Sequence, residues 1–453
     1  MQQSPGNDHL WAWGSKNKLN GGLGEDYLHA FGSYNTLSGG DGNDTLVVES
    51  SNQPSTGNVV SGDAGNDHIW LYGAFSSTVN GGIGDDDIHG YVFGSSLNGN
   101  DGIDFIEFEG FSNTVSGGSG GDELVLYGGT GNVLNGDGGD DYIHQNYEYG
   151  EDYGNTFNGG SGNDTIEVYN ALLDSINGGD GNDAIYFYTD YGYAVDGFNV
   201  VSGGSGRDFI ELGQGSSNTI HGNSDNDTIY LPYDIGSNND AYGDSGNDVI
   251  MAGGTGNFLY GGGGQDILGS YSHAFYAPPP PPAAPLPTVD GGAGIPMLGN
   301  VLNGEGDTDA YILRSTSEAL VTDTDASGQL NTGDTITGLL DVINGYSRYE
   351  TIDVAGTAKD TSVSFDSITG ALLLDSGHYG FVRGDYTAEG TFTVNTTKGV
   401  DLLLVYHASP DNGGYETEGA VVLVGVTNAS NVSIGTVTPP PDENPQFLHL
   451  PGH

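Results

Sequence analysis

Cysteine is missing altogether. That excludes a disulfide framework and any thiolate metal site. Basic residues are nearly missing too. Lys and Arg number 8 against 61 Asp and Glu, for a formal charge of −53. Between Lys18 and Arg314 the one basic residue is Arg207. Nucleic acid is excluded as a partner on charge alone. A chain so unbalanced repels itself and needs cations to close up. No apolar run approaches the roughly 18 residues of a membrane span. Met1 to Leu10 lacks a basic segment followed by an apolar one, so no cleavable export signal is read there. No HExxH motif occurs, since none of the 11 His is followed by Glu. A Gly-x-Ser-x-Gly match at Gly117, Ser119 and Gly121 lies inside a Gly-rich turn without the strand-to-helix elbow of a nucleophile, and is read as accidental. No enzyme is expected.

What is abundant is glycine, with 81 residues, set in a regular pattern with the 35% that are apolar. The unit reads N-x-U-x-G-G-x-G-x-D-x-U, where U is apolar. It occurs thirteen times, starting at Asn17 and ending with the copy that starts at Asn257, most often 18 or 19 residues apart. The first Gly is present throughout, from Gly21 to Gly261. The fourth position is Gly except at Asp225. Glycine at these two places is expected to supply the positive φ of a sharp turn. The sixth position is Asp in every copy: Asp26, Asp44, Asp67, Asp86, Asp104, Asp122, Asp141, Asp164, Asp183, Asp208, Asp227, Asp248 and Asp266. One apolar residue precedes the turn and one Leu or Ile follows it. Each coil therefore carries two short strands, each with one inward side chain, and only stacking buries them.

The runs GGDGND (Gly39 to Asp44) and GGSGND (Gly159 to Asp164) resemble the RTX, or hemolysin-type, calcium-binding nonapeptide. The resemblance covers residues 4–310 and implies a parallel β-roll. It further implies multiple Ca²⁺ ions, held between neighbouring coils by Asp carboxylates and backbone carbonyls. Oxygen ligands suit Ca²⁺. Alternate nonapeptides, such as Phe108 to Ser116, place Asn or Ser where Asp would stand. A calcium ladder is expected on one edge only, with an Asn-rich edge opposite. No Thr occupies the third motif position, which argues against ice binding. Aromatic insertions (Tyr142, Tyr147, Tyr149, Tyr153; Tyr186 to Tyr188, Tyr191, Tyr193) read as contact loops or as packing on the roll. His29, His68, His89 and His144 read as surface decoration.

The fold class expected is all-β: a parallel β-roll, or β-solenoid, of RTX type over 1–277, followed by a smaller β-rich C-terminal domain. Between them, 278–310 combines a Pro-rich insertion with degenerate last repeats. In it, GGAGIP (Gly291 to Pro296) loses its Asp and NGEGDTD (Asn303 to Asp309) is a modified last turn. The β-rich domain spans 311–438, and 439–453 is a Pro-rich tail. Asp323, Asp325, Ser327, Gln329 and Asp334 take ligand positions of an EF-hand-like loop, with Thr335 to Asn344 read as its exit helix. Strands are expected at 362–365, 371–374, 391–394, 400–406 and 420–426. The RTX resemblance implies type I secretion and an extracellular or cell-surface location. The function expected is a calcium-folded structural protein that self-associates into a polymer or lattice at the cell surface, as a surface layer or matrix filament. The alternative is a calcium-dependent adhesin or recognition module, with cell-surface polysaccharide as a possible partner.

Overall fold

The computed structural model describes residues 4–50, 54–146, 153–188, 197–213, 215–231, 238–271 and most of 300–434. Among them every regular element is a β-strand except one 3-10 turn at Ala429–Asn431. Each coil gives one strand to each of two parallel sheets. Lys18–Leu23 lies in the first sheet and Tyr27–Phe31 in the second, joined by a turn that ends at Asp26. Successive coils pair in register. In the first sheet Leu19 meets Leu37, then Val60, Val79 and Leu97. In the second, Leu28 meets Leu46, then Ile69, Ile88 and Ile106. These two columns are fully or nearly fully buried and form the core. The long repeats keep this register, and most of their extra residues, Tyr147, Tyr149, Tyr191 and Tyr193 among them, lie outside the described residues. Tyr142, Tyr186 and Tyr188 nonetheless sit on second-sheet strands rather than in loops, and Phe187 is in the core.

The glycines divide their work differently from expectation. Positive φ belongs to the second and fourth positions, as at Gly22 (114°) and Gly24 (119°), not to the first. Where the second position is not Gly it is Asp or Asn, as at Asp63 (79°) and Asn100 (84°). These are the residue types that tolerate the left-handed region best. Asp225 adopts it at the fourth position, with φ 79°. The first Gly has another purpose: a Cβ on Gly21 would strike Asp26 Oδ2 and the carbonyl of Gly39.

The sheets do not end before the Pro-rich run. Val301–Asn303 adds to Phe258–Tyr260, and Ala310–Arg314 adds to Ile267–Tyr271. A further coil follows with Asp341–Asn344 and Thr351–Asp353, and a last one with Val421 to Leu423 and Ser433–Ile434. The residues assigned to a separate C-terminal domain thus continue the roll's own ladders. The Pro-rich run and GGAGIP lie outside the described residues.

On the last coil the first sheet changes direction. Thr417–Leu423 pairs antiparallel with Asp401–Ala408, which pairs with His378–Thr387, then Thr391–Val394, Thr335–Thr337 and Leu320–Thr322. Side chains alternate across this meander. Leu402, Leu404 and Tyr406 join the core of the roll, while Leu403 and Val405 pack with Ile336 and Phe392 in a second core. The exit helix expected at 335–344 is two strands instead. Thr, Ile and Val at 335–337 and 342–343 suit a strand, and their neighbours supply the pairing. The strand His378–Thr387, not foreseen, is the longest in the meander.

Ile166 is fully buried in the middle of the second sheet. Ile166→Ala is expected to cost about 2–5 kcal/mol. Denaturant titration in saturating calcium checks this. Because each coil touches only its neighbours, the loss should broaden the transition as well as lower its midpoint.

Candidate calcium edge

The thirteen motif aspartates all lie on one edge of the roll and all are buried. Each is fixed by a rung to the coil before it. Asp44 Oδ1 accepts the backbone N–H of Asp26 at 2.7 Å, and Asp67 Oδ1 accepts that of Asp44 at 2.7 Å. The series runs unbroken to Asp266, which accepts from Asp248 at 2.9 Å. The missing side chain at the first Gly lets the carboxylate fold back against its own turn.

One oxygen of each carboxylate is accounted for in this way. The other is not. In Asp26, Asp44, Asp67, Asp86, Asp104, Asp122, Asp141, Asp164, Asp183, Asp208, Asp227 and Asp248, Oδ2 is buried and accepts no hydrogen bond. At Asp44 it crowds the same point beside Gly39 as the carbonyl of Gly62 on the next coil. Two acceptor oxygens face each other there with no donor between them. A buried polar atom left so costs about 1–3 kcal/mol, and more when charged.

Only a proton or a cation relieves this. In the metal-free fold, burial pushes the carboxyls up, to about 6 at Asp44, about 7 at Asp67 and about 8 at Asp227. Neighbouring aspartates push the same way, against the downward pull of the rung hydrogen bond. No Lys or Arg stands at a rung to neutralise the row. The donor set is carboxylate and carbonyl oxygen, without nitrogen or sulfur, which suits a hard divalent cation such as Ca²⁺. Among the described residues no three His, Cys, Asp or Glu side chains converge on one point. An ion on this edge would be held by carboxylates of stacked coils together with backbone carbonyls.

The opposite edge is built from the same kind of rung in mostly neutral form, with a carboxylate at Asp174. Asn35 Oδ1 accepts the N–H of Asn17 at 2.9 Å, and Asn132 Oδ1 accepts that of Asn113 at 3.0 Å. Ser77 and Ser95 take the same place through their hydroxyls. Many Asn amides also donate onward, as Asn132 Nδ2 does to the Gly110 carbonyl at 2.9 Å. Most of this edge satisfies itself, Asn35 and Asn58 excepted, whose Nδ2 atoms are buried without an acceptor.

Both ladders run two coils beyond the thirteen motifs. Asp309 Oδ1 accepts from Asp266 at 3.1 Å. Glu350, buried, stands in the equivalent place on the next coil, since Ala310 pairs with Thr351. On the other edge Asn300 accepts from Asn257, and Asp341 from Asn300. Neither Asp309 nor Glu350 was singled out as a candidate ligand. The signal was present: Asn300 to Asp309 and Asp341 to Glu350 keep the nine-residue separation of Asn17 to Asp26. Of the EF-hand-like set, Asp323, Asp325, Ser327 and Asp334 lie outside the described residues, and Gln329 is exposed. That segment connects two antiparallel strands and lacks the exit helix of an EF-hand.

Two outcomes are expected. In calcium-stripped protein the raised carboxyls bind protons more tightly folded than unfolded. The stability this gives is complete below about pH 4 and is lost as pH rises through 6 to 8. Circular dichroism of the stripped chain should show strand signal at pH 5 that fades by pH 8, and calcium at pH 8 should restore it. Substitution separates rung from ligand. Asp104→Asn keeps an acceptor for the Asp86 N–H and removes the charge. It should lose about one bound ion by calorimetry, whereas Asp104→Ala also loses the rung and a further ~1–2 kcal/mol.

The RTX calcium-binding nonapeptide repeat matches this chain at residues 4–28, 32–52, 55–74, 149–168, 174–191, 187–217, 212–231 and 235–268. The unmatched stretch between them keeps Asp86, Asp104, Asp122 and Asp141 in the same buried row. Among solved structures, a hyperactive Ca²⁺-dependent β-helical antifreeze protein from an Antarctic bacterium is similar. The identity is 19%, over 60% of this chain and 85% of that one, with a TM-score of 0.43. A PL6 alginate lyase solved with a trisaccharide aligns at 12% identity over 83% and 73%, with a TM-score of 0.15. No curated protein matches the chain. With the nonapeptide matched on either side of the unmatched stretch, residues 4–74 and 149–268 carry RTX calcium-binding nonapeptide repeats.

Proposed function

We propose that this chain is an extracellular structural protein that folds on calcium after export and self-assembles at the cell surface, in a surface layer or matrix filament. The observation that carries the first part is the row of buried Oδ2 atoms without donors. Where a site does not exist in the unfolded chain, metal binding free energy becomes folding free energy. In a low-calcium cytosol the charge of −53 keeps the chain open and exportable. Outside, calcium closes it. Ligands proposed for the ions are the thirteen motif aspartates, with Asp309 and Glu350 continuing the row.

Assembly is supported by the shape of the molecule. The roll is itself a long repetitive surface, and aromatic side chains such as Trp11, Trp13, Tyr34 and Phe111 stand exposed on it. Divalent cations can also bridge two acidic copies that would otherwise repel. The adhesin reading draws on the same exposed rings. Electron microscopy and sedimentation of the purified chain, with and without millimolar calcium, distinguish the two. Ordered polymers that appear with calcium and dissolve with chelator are expected. A calcium-folded monomer at all concentrations would sink assembly, and strand signal unchanged at neutral pH after calcium removal would sink calcium-driven folding.

A further inference from the structure

The outer face of the second sheet carries side chains that neither the core nor the calcium edge uses. Because pairing is in register, its outward positions fall into columns. One column runs Trp11, His29, Val47, Trp70, His89, Glu107 on successive coils. The column two residues further along each strand runs Trp13, Phe31, Glu49, Tyr72, Tyr91, Glu109. Both columns read ring, ring, non-ring, twice over. The period is three coils, about 14 Å at the spacing of paired strands. The face therefore holds two quartets of rings, parted by the rung of Val47 and Glu49 and closed by the rung of Glu107 and Glu109.

These rings are held in place. Trp13 lies parallel to Phe31 with centroids 4.0 Å apart, and Trp70 lies parallel to His89 at 3.9 Å. His89 is pinned from both sides, by Asp87 at 2.5 Å and Glu107 at 2.5 Å. His29 is tied to Glu49 at 3.2 Å. His29 is buried beneath its neighbours, but the quartets remain open to solvent at their other rings: Trp13 is 70% exposed, Tyr72 50% and Tyr91 46%. Rings fixed before a ligand arrives lose little freedom when it binds. The strands that carry them, from His9–Trp13 to Phe105–Glu109, contain no Lys or Arg.

Such a face selects its ligand by chemistry. Rings offer apolar contact, and the carboxylates between them offer hydrogen-bond acceptors. There is no cationic group for an anion, so nucleic acid, sulfated polymers and acidic lipid are disfavoured. The site is flat, long and periodic, which suits a polymer rather than a small molecule. We propose that this face binds a neutral or amine-bearing polysaccharide, laid along the roll, with C–H faces against the ring quartets and hydroxyl or amine donors on the acidic rungs. The site needs the calcium-folded roll but not the assembly proposed above.

The test uses the full chain with calcium, retained on chitin, cellulose or chitosan or passed through gels containing dextran, with dextran sulfate as the polyanion. Retention is expected on at least one of the four uncharged or amine-bearing polymers and not on dextran sulfate. The double variant Trp70→Ala, Tyr72→Ala should weaken it about tenfold or more, while Asn98→Ala on the opposite sheet leaves it unchanged. Circular dichroism with and without calcium separates a folding failure from a binding failure. If the double variant does not fold, Tyr91→Ser removes one half-exposed ring and should still weaken retention several-fold. Retention on none of the four, retention untouched by the ring variants that fold, or equal retention on dextran sulfate would overturn the proposal.

Discussion

A backbone amide donating to an inward side chain on the next coil holds this protein in register. Every coil makes that bond twice, once at each edge. At one edge the acceptor is an amide or hydroxyl, and at the other it is a carboxylate. Strand pairing alone would tolerate slips between such short strands. The rungs do not, because a shifted coil would leave a buried amide and a buried side chain both unpaired. The glycines, the core columns and the placement of the loops all follow from keeping these rungs aligned.

The two edges have opposite electrostatic characters for a chemical reason. Asn carries a donor and an acceptor, so a column of Asn closes on itself and on nearby carbonyls. Asp carries acceptors only, so its column has an oxygen left over on every coil. Burying a file of carboxylates with a single arginine, Arg207, in its turns is unfavourable unless something positive is supplied from solution. The polypeptide thus largely supplies its own partners on one side and lacks them along the other. That incompleteness is what the proposed calcium-dependent folding rests on.

Much of this was legible from the residues. The thirteen copies, their apolar columns, the buried aspartate row and the Asn edge opposite all follow from fixed offsets of Gly, Asp and Leu or Ile. Three things were not, each for a physical reason. Asp309 and Glu350 continue the row after the glycines have mostly gone, and a reading tuned to Gly-Gly-x-Gly stops where the glycines stop. Of the meander, the strands at Thr391–Val394, Asp401–Ala408 and Thr417–Leu423 were expected, but its pairing order was not, and His378–Thr387 hid because it mixes Gly, Arg and Asp with apolar residues and is held by neighbours rather than by pattern. The job of the first glycine is a steric relation between a turn and its own aspartate, five residues on, which no propensity records.

The last coil gives the roll a defined length. There Val421 pairs beside Asp341, and Val432 precedes the pair of Ser433 with Thr351, so valines stand where the Asn and Asp rungs would come next. Both files of polar side chains stop at hydrocarbon, and the sheet that carried them turns antiparallel. Val421 and Val432 offer no side-chain acceptor to the coil before them, so both rung series end there, and the place a further first-sheet strand would take is held by Asp401–Ala408. The repeat is open-ended in principle, yet the chain carries its own stop signal, written as a change from oxygen to methyl at two positions.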